Sequence, residues 1–299
     1  MPHQPPTDPL AALADYLAWL DRQPLAPNSR RAYRGRVTHY CAYLAATPSV
    51  SGDPLAEPHA RDYAVRDFKA HLKTVRRAKP TSVNLALAAI DSFYGFLGLG
   101  HPQVRREDLP QAAPRALTAD EQKQFLRAVE RQARARDRAI ATLFFYTALR
   151  LGECVALNTD DVALTARKGK VIVRSGKGDV YREVPLNSAV RAALTTWMAE
   201  RRRLFPDSAE PALFLNRAGR RLSARAIDQL LRKTVREAGL ALSAHVLRHT
   251  CLTNLVRGGH DLVLVAEIAG HRRLETTRRY SLPTAQDRQR AMESLRVEY

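Results

Sequence analysis

The amino-acid sequence predicts a mainly α-helical fold with a small antiparallel β-sheet in its C-terminal part, arranged as two domains. Apolar residues recur at helical spacing in four segments of the first hundred residues. Farther along, two short β-branched segments flank a turn that contains glycines, which is typical of a β-hairpin. Residues 101–116 hold three prolines and little periodicity, so we predict domains at 1–100 and 117–299 joined by a linker at 101–116.

The first predicted domain consists of four helices. Apolar residues recur along one face of a helix from residue 10 to 20, and Asn28 or Ser29 is expected to cap the second helix. The third and fourth helices are predicted at 62–75 and from residue 81 or 82 to 97. Gly98 and Gly100 are expected to end the fourth, because glycine readily adopts the left-handed conformation that follows many helices.

The second predicted domain begins with a capping-box sequence, in which Thr118 is followed three residues later by Glu121. Two strands of a hairpin are predicted at 171–174 and 180–186, with residues 175–179 as their turn. Hydrophobic spacing and terminal glycines predict further helices at 139–149, 187–203, 223–238, 246–257 and 262–269.

The composition is that of a strongly basic globular protein. Lysine and arginine outnumber aspartate and glutamate by 48 to 30, which favours a nucleic-acid partner, although an unspecialised basic surface has the same composition. Three widely separated cysteines, Cys41, Cys154 and Cys251, show neither metal-ligand spacing nor a disulfide framework, which fits a reducing cytoplasm. A signal peptide and a run of about 18 apolar residues are both absent, so neither export nor a membrane span is predicted.

Basic side chains form two clusters in the predicted helical domain. Cations three or four residues apart lie on the same side of a helix, where they can contact successive phosphates. The alternative is an ordinary solvated face. The residues predicted to contact a polyanion are Arg30, Arg31 and Arg34 on the second helix, and Lys69, Lys73, Arg76 and Arg77 around the end of the third.

Two cations of the second domain occupy unusual positions. Arg150 directly follows a long apolar run, and an arginine that emerges from a buried helix end needs an anionic partner. An ion pair with Glu153, three residues later, would also satisfy it. Lys177 lies at the glycine-flanked tip of the predicted hairpin, where its side chain could reach a bound ligand, but lysine is also ordinary in turns.

A histidine and an arginine are predicted to share one helical face. His245 and Arg248 are three residues apart, and a guanidinium that grips phosphate oxygens beside an imidazole that transfers protons suits phosphate chemistry. Zinc is an alternative, because His245 and His249 have the spacing of zinc-binding helices, and Cys251 and His271 are further potential ligands. Against zinc, a valine stands where such a helix carries its glutamate.

His271 and Tyr280 complete the candidate residues. His271 follows a glycine that is expected to end a helix, and Tyr280 lies nine residues later in a basic segment. A lone tyrosine is usually packed in a core or exposed at the surface. It acquires chemistry only where phosphate-binding groups converge on it.

Taken together, these motifs resemble the tyrosine recombinases, the phage integrase and Xer-like family. The resemblance rests on six residues in a fixed order, namely Arg150 in TALRLGEC, Lys177 in SGKGD, His245 and Arg248 in HVLR, His271 after glycine, and Tyr280. It is highly specific in the second domain. In the first domain it is weaker, since it rests there on helix number, charge and position before the linker.

The resemblance implies a site-specific DNA recombinase that cuts and rejoins strands through a 3′-phosphotyrosyl intermediate, with no metal, nucleotide or other cofactor. Tyr280 would attack the phosphorus, so that the energy of the broken bond is kept for rejoining. Arg150 and Arg248, helped by His271, would neutralise the negative charge on the phosphate oxygens.

The remaining roles implied by the resemblance concern protons and orientation. His245 would help to remove the proton of the attacking tyrosine, and Lys177 would protonate the leaving 5′-oxygen. Glu153 would orient Arg150 rather than react.

The family also implies partners and a location. The first domain would bind the core of double-stranded DNA that carries specific recombination sites, and four copies would assemble on two sites from a free monomer or weak dimer. The tail from 283 to 299 would dock on a neighbouring copy. The protein would work in the cytoplasm, on the nucleoid.

Two rival interpretations remain at this point. A type IB topoisomerase or a hairpin telomere resolvase would share the tyrosine chemistry. A catalytically inactive DNA-binding architectural or regulatory protein would share the charge and the helices, but it would not need the complete set of six residues.

Overall fold

The structure, a computed structural model, describes residues 8–47, 51–109, 113–174, 181–271, 273–283, 287, 289 and 292–294. The chain forms two compact units, which run from Met1 to Pro110 and from Gln111 to Tyr299. The predicted fold class, mainly α-helical with one small antiparallel sheet, is confirmed. No described helix is both long and apolar enough to cross a membrane.

Four helices build the first unit, α1 (Pro9–Asp21), α2 (Pro27–Ala46), α3 (Pro58–Thr74) and α4 (Pro80–Phe96). Each begins with proline, which fits a first helical position because the N–H that proline lacks would have no partner there. The predicted caps of α2 were wrong: Asn28 and Ser29 lie inside the helix, and Ala26 stands at its N-cap. Pro27 sets the start of α2 before either residue.

Aromatic side chains fill the core of the first unit. Tyr16, Tyr40, Phe68, Phe93 and Tyr94 are all buried. The hydroxyl groups of Tyr40 and Tyr94 lie 2.7 Å apart and satisfy each other, as buried polar groups must. The core therefore combines apolar packing with a closed polar contact.

Residues 101–109, the first part of the predicted linker, contain no helix or strand. They belong to the first unit and are hydrogen-bonded to its helices. Asn84 on α4 accepts from the Glu107 N–H at 2.7 Å and donates to the Glu107 carbonyl at 2.8 Å. The Gln103 N–H donates to Asp62 on α3 at 3.0 Å. This segment therefore packs on α3 and α4, and the two compact units divide after it.

The second unit contains the sheet and the remaining helices. The described helices are α5 (Ala119–Glu130), α6 (Ala135–Thr147), α7 (Leu151–Ala156), α8 (Ser188–Leu204), α9 (Ala224–Glu237), α10 (Ala244–Arg257), α11 (Leu262–Ala269) and α12 (Leu274–Arg278), with a 3-10 turn at Thr159–Asp161. The capping box predicted at Thr118 and Glu121 is confirmed. Helix α6 is buried along most of its length and packs against α8 and α10.

The sheet has three antiparallel strands in the order β1 (Val162–Leu164), β2 (Gly169–Val173) and β3 (Arg182–Pro185). Strands β2 and β3 correspond to the predicted hairpin, whose turn lies outside the described residues. The prediction missed β1, because three residues are too few for an alternating pattern to be read. On β3 the side chains of Arg182 and Val184 are buried, so a charged group faces the core.

Candidate active site

The C-terminal end of α11 is the point at which four of the predicted site residues meet. Gly270 ends this helix with φ of +63°, a left-handed conformation that glycine adopts without steric cost. The last carbonyl groups of a helix lack partners within it and carry partial negative charge. Three arginines donate to three consecutive carbonyls here: Arg182 to Ile268 at 2.9 Å, Arg248 to Ala269 at 2.7 Å, and Arg150 to Gly270 at 3.0 Å.

Arg248 is a buried cation whose described partners include no carboxylate. It is 2% exposed and donates to the carbonyls of Ala148 and Ala269, while its Nη2 lies 3.1 Å from Nε2 of His271. Burial, and then the nearby charge of Arg150, lower the pKa of Arg248 to about 10, so it remains a cation at neutral pH. A buried charge without a counter-ion is costly, and this site is therefore suited to an external anion.

Arg150 is held in place by a buried carboxylate. Glu153 is 4% exposed and accepts from Nη1 of Arg150 at 2.7 Å and from Nη2 of Arg182 at 2.7 Å. Burial alone would raise the pKa of Glu153, but hydrogen bonds from Arg182 and from the Arg150 N–H lower it to about 2. The ion pair between Arg150 and Glu153, which was the alternative to an external anion, thus exists, and a single carboxylate serves two guanidinium groups.

Local geometry explains why Arg150 lies here. Helix α6 ends where Ala148 turns into the left-handed conformation with φ of 51°, and Arg150 then occupies the N-cap of α7. The predicted helix at 139–149 therefore ran two residues too far. The turn directs the arginine out of the apolar run and toward the end of α11.

His271 is held by hydrogen bonds at both ring nitrogens. Arg248 has only N–H groups to offer, so Nε2 of His271 accepts, and Nδ1 donates to the buried Oγ1 of Thr277 at 2.8 Å. Burial and the charge of Arg248 lower the pKa of His271 to about 4, which keeps the ring neutral. The ring is stacked on Tyr280, with centroids 6.2 Å apart and planes 6° from parallel.

Tyr280 is buried beside these groups. It is 6% exposed, and its hydroxyl lies 2.9 Å from Nδ1 of His249. Burial raises the pKa of Tyr280, although Arg248 and other cations oppose this effect, so the phenol is protonated at neutral pH. From the sequence, His249 was predicted only as a candidate zinc ligand. The one feature of the sequence that could have indicated a role beside the tyrosine is its position directly after Arg248.

His245 lies one helical turn before His249 on α10. Its ring is perpendicular to that of His249, with centroids 4.3 Å apart, and the residue is exposed. Burial of the ring and the charge of Arg248 lower the pKa of His245. Among the described residues, His249 rather than His245 is hydrogen-bonded to the tyrosine hydroxyl.

The remaining second-domain predictions have different outcomes. Lys177 lies outside the described residues, as does most of the tail from 283 to 299. The described residues contain no cluster of three or more His, Cys, Asp or Glu side chains that could hold a metal. The zinc alternative therefore has no ligand set here, and both nitrogens of His271 already bind other groups.

The basic residues predicted to contact a polyanion divide into paired and unpaired groups. Arg34 forms an ion pair with Asp21 at 2.7 Å, and Lys69 and Lys73 share Glu107, each at 2.9 Å. Arg30 and Arg31 are hydrogen-bonded to neighbouring backbone and amide oxygens, and Arg76 lies 3.4 Å from His39. Arg77 is exposed and has a left-handed backbone with φ of 48°.

Comparison with known proteins places these features in a family. A sequence profile described as "Phage integrase family" matches residues 115–287, and one described as "Phage integrase, N-terminal SAM-like domain" matches residues 10–99. The chain is 31% identical over 306 residues to tyrosine recombinase XerD of Mycobacterium leprae, with 93% of each chain covered. It is 29% identical over 295 residues to tyrosine recombinase XerA of Thermococcus kodakarensis, with 97% of each covered. The fold is similar to that of XerH site-specific recombinase bound to difH substrate, with a TM-score of 0.72, 20% identity and 98% of each chain covered.

Proposed function

The chain belongs to the phage integrase family, the tyrosine recombinases, and from this premise we propose that Tyr280 is the nucleophile of its strand-cleavage reaction. The predicted family and activity are confirmed: the protein is a site-specific recombinase, an enzyme that cuts and rejoins DNA strands. One observation carries the proposal for Tyr280. The Tyr280 ring is stacked on His271, which accepts from Arg248, and the described hydrogen-bond partners of this buried cation are carbonyl oxygens and the imidazole.

The scissile phosphate is proposed to bind between Arg150 and Arg248. Both guanidinium groups are anchored to consecutive carbonyls of α11, so their positions are set before the substrate arrives. Charge that develops on the phosphate oxygens during attack would meet donors already in place, and one such donor contributes about 10²–10³-fold to a rate. His271, held by Arg248 and Thr277, would face the same oxygens.

Two further residues enter the proposal. His245, exposed beside His249, is proposed to face the bound phosphate. Lys177 is proposed to protonate the leaving 5′-oxygen, on the strength of the family resemblance alone. In the reaction, the bond from the Tyr280 oxygen to phosphorus forms as the bond from phosphorus to the 5′-oxygen breaks, and the phosphodiester energy is retained in the phosphotyrosine.

The proposed partner is double-stranded DNA that carries specific recombination sites, with four copies of the chain on two sites. The solved relative XerH is bound to its difH substrate. The formal charge of +18 fits binding to the phosphate backbone, and the unit formed by α1 to α4 is proposed to contact it through Arg30, Arg31, Arg34, Lys69, Lys73, Arg76 and Arg77. We propose that the enzyme works in the cytoplasm, on the nucleoid where such a substrate lies.

The test uses a DNA duplex selected from a randomised pool for binding to this chain, with a nick placed so that cleavage traps the covalent complex. Tyr280→Phe should abolish the covalent adduct and preserve DNA binding, because only the nucleophilic oxygen is lost. The control is the wild-type chain in EDTA, which should still form the adduct. An adduct formed by Tyr280→Phe would overturn the assignment of the nucleophile.

Deletion of the C-terminal tail tests the proposed assembly of four copies on two sites. Deletion of residues 283–299 should weaken pairing of two DNA sites and recombination more than it weakens binding to one site. The measurement compares gel-shift affinity for one duplex with the yield of paired-site complexes. Equal losses in both would contradict the proposed docking of the tail on a neighbouring copy.

A further inference from the structure

We propose that His249, rather than His245, takes the proton of the Tyr280 hydroxyl when the strand is cut and returns it when the strand is rejoined. The proposal rests on the proposed function of Tyr280 as the nucleophile. It adds to the site a residue outside the six on which the family resemblance was based.

The geometry of the hydroxyl carries the proposal. Nδ1 of His249 lies 2.9 Å from the Tyr280 oxygen and is its only hydrogen-bond partner among the residues that the structure describes. A buried hydroxyl needs an acceptor for its proton. Nδ1 therefore accepts, which places the ring proton of His249 on Nε2.

His249 is in the right protonation state for this task. Burial, followed by the charges of His245, Arg279 and Arg248, lowers the pKa of His249 to about 4. The imidazole is therefore neutral at physiological pH and has a lone pair on Nδ1. His271 lowers the pKa of His249 further. The charged groups that face the His249 ring are therefore His245 and Arg248 on α10, His271 directly after α11, and Arg279 at the end of α12.

Substrate binding strengthens this base. A bound phosphodiester brings negative charge next to the cations that hold down the pKa of His249, and so it favours protonation of the imidazole. The DNA-free chain thus keeps Tyr280 as a protonated phenol. Proton transfer becomes favourable only when the phosphate occupies the site.

The step balances in both directions. During cleavage the Tyr280 oxygen bonds to phosphorus, its proton moves to Nδ1 of His249, and the leaving 5′-oxygen takes a proton from a separate donor. During rejoining the 5′-hydroxyl attacks phosphorus and returns its proton to that donor, the phosphotyrosine bond breaks, and His249 gives its proton back to the tyrosine oxygen.

The test is the His249→Asn variant. An asparagine amide oxygen can take the place of Nδ1 and accept a hydrogen bond, but it does not take up a proton at neutral pH. In single-turnover cleavage of the nicked selected duplex, the variant should be slower by about 100-fold or more, since general-base catalysis contributes about 10²–10⁴-fold. DNA affinity should not change. His260→Asn, the same replacement at an exposed histidine, should cleave at the wild-type rate.

Two chemical variants separate proton transfer from mere positioning. Replacing Tyr280 with a fluorinated tyrosine lowers the pKa of the phenol, so the deficit of His249→Asn should shrink by at least tenfold. A substrate with sulfur at the 5′-bridging position has a leaving group that needs no proton. The deficit of His249→Asn should persist on that substrate, while the deficit of Lys177→Ala should shrink.

The outcomes distinguish this proposal from that for Tyr280. Wild-type cleavage by His249→Asn, or a deficit that fluorinated tyrosine leaves unchanged, would overturn the role of His249 alone. A covalent adduct in Tyr280→Phe would instead overturn the nucleophile, and with it both proposals.

Discussion

The two units of the chain each bury an arginine, and they treat its charge differently. In the first unit Arg61 is 5% exposed and forms an ion pair with Asp62 at 2.8 Å, while it also donates to the Leu99 carbonyl. In the second unit Arg248 is 2% exposed, and its described partners are carbonyl oxygens and His271. The first charge is neutralised by a carboxylate of the same unit, whereas the second has no carboxylate among its described hydrogen-bond partners.

Other cations of the two units show the same contrast. Lys69 and Lys73 both pair with Glu107, so part of the basic charge of the first unit is already compensated. In the second unit, Glu153 is shared by Arg150 and Arg182, which leaves an excess of positive charge at the end of α11. The net charge of a chain therefore says less about where an anion binds than the local balance of partners does.

The largest effect that would sharpen this comparison is expected from Arg248→Ala. Loss of the unneutralised cation should slow cleavage of the nicked duplex by about 10³-fold, because one preorganised donor contributes up to that much. The matched variant Arg61→Ala removes a buried but neutralised arginine, and it should leave the cleavage rate of bound DNA within a few-fold of wild type. Similar cleavage deficits in both variants would break the comparison.

The next effect concerns the carboxylates that pair with buried arginines. Glu153→Gln leaves Arg182 buried without an anion and should lower the free energy of unfolding by about 3 kcal/mol. Asp62→Asn, whose carboxylate is more exposed, should cost about 1 kcal/mol. Urea unfolding at pH 7 measures the free energy of unfolding of both variants. Equal losses would show that the two units depend equally on the carboxylate that pairs with their buried arginine.

Acidification should destabilise the second unit through its neutral histidines. The pKa values of His249 and His271 are about 4 in the folded chain and about 6.5 when unfolded, so between these values the unfolded chain binds more protons. Stability is therefore full above about pH 6.5 and falls as the pH decreases toward 4. Moving from pH 7 to pH 5 should cost about 2 kcal/mol for each of the two histidines, or about 4 kcal/mol together, measured by urea unfolding. His249→Asn should reduce the dependence of the unfolding free energy on pH. An unchanged dependence would contradict the contribution assigned to His249.

The smallest effects are expected at the exposed cations of the first unit. Arg77→Ala should reduce the slope of log affinity against log salt by about 1, if this side chain contacts a phosphate. Lys73→Ala should have a weaker effect, because its charge is already shared with Glu107. Both should change the free energy of unfolding by less than about 1 kcal/mol. A larger change in salt slope for Lys73→Ala would reverse this order.

Helices could be predicted from the sequence wherever a local signal controls them. Helix α11 spans Leu262–Ala269, the predicted 262–269, because Gly270 ends it through its own backbone freedom. The capping box at Thr118 is equally local. The start of α2 and the strand β1 escaped prediction, since Pro27 overrode the polar caps and three residues carry too little pattern.

The sequence by itself determined the family, because motif order and spacing are properties of the chain and need no coordinates. It also named Arg150, Arg248, His271 and Tyr280 as candidates. Only the tertiary structure decided that Arg182 shares Glu153 and that His249 meets the tyrosine hydroxyl.

The physical reason is distance along the chain. Arg182 donates to a carbonyl 86 residues away, and His249 meets a hydroxyl 31 residues away. Such contacts depend on how helices and strands pack, and no local pattern of residues encodes them.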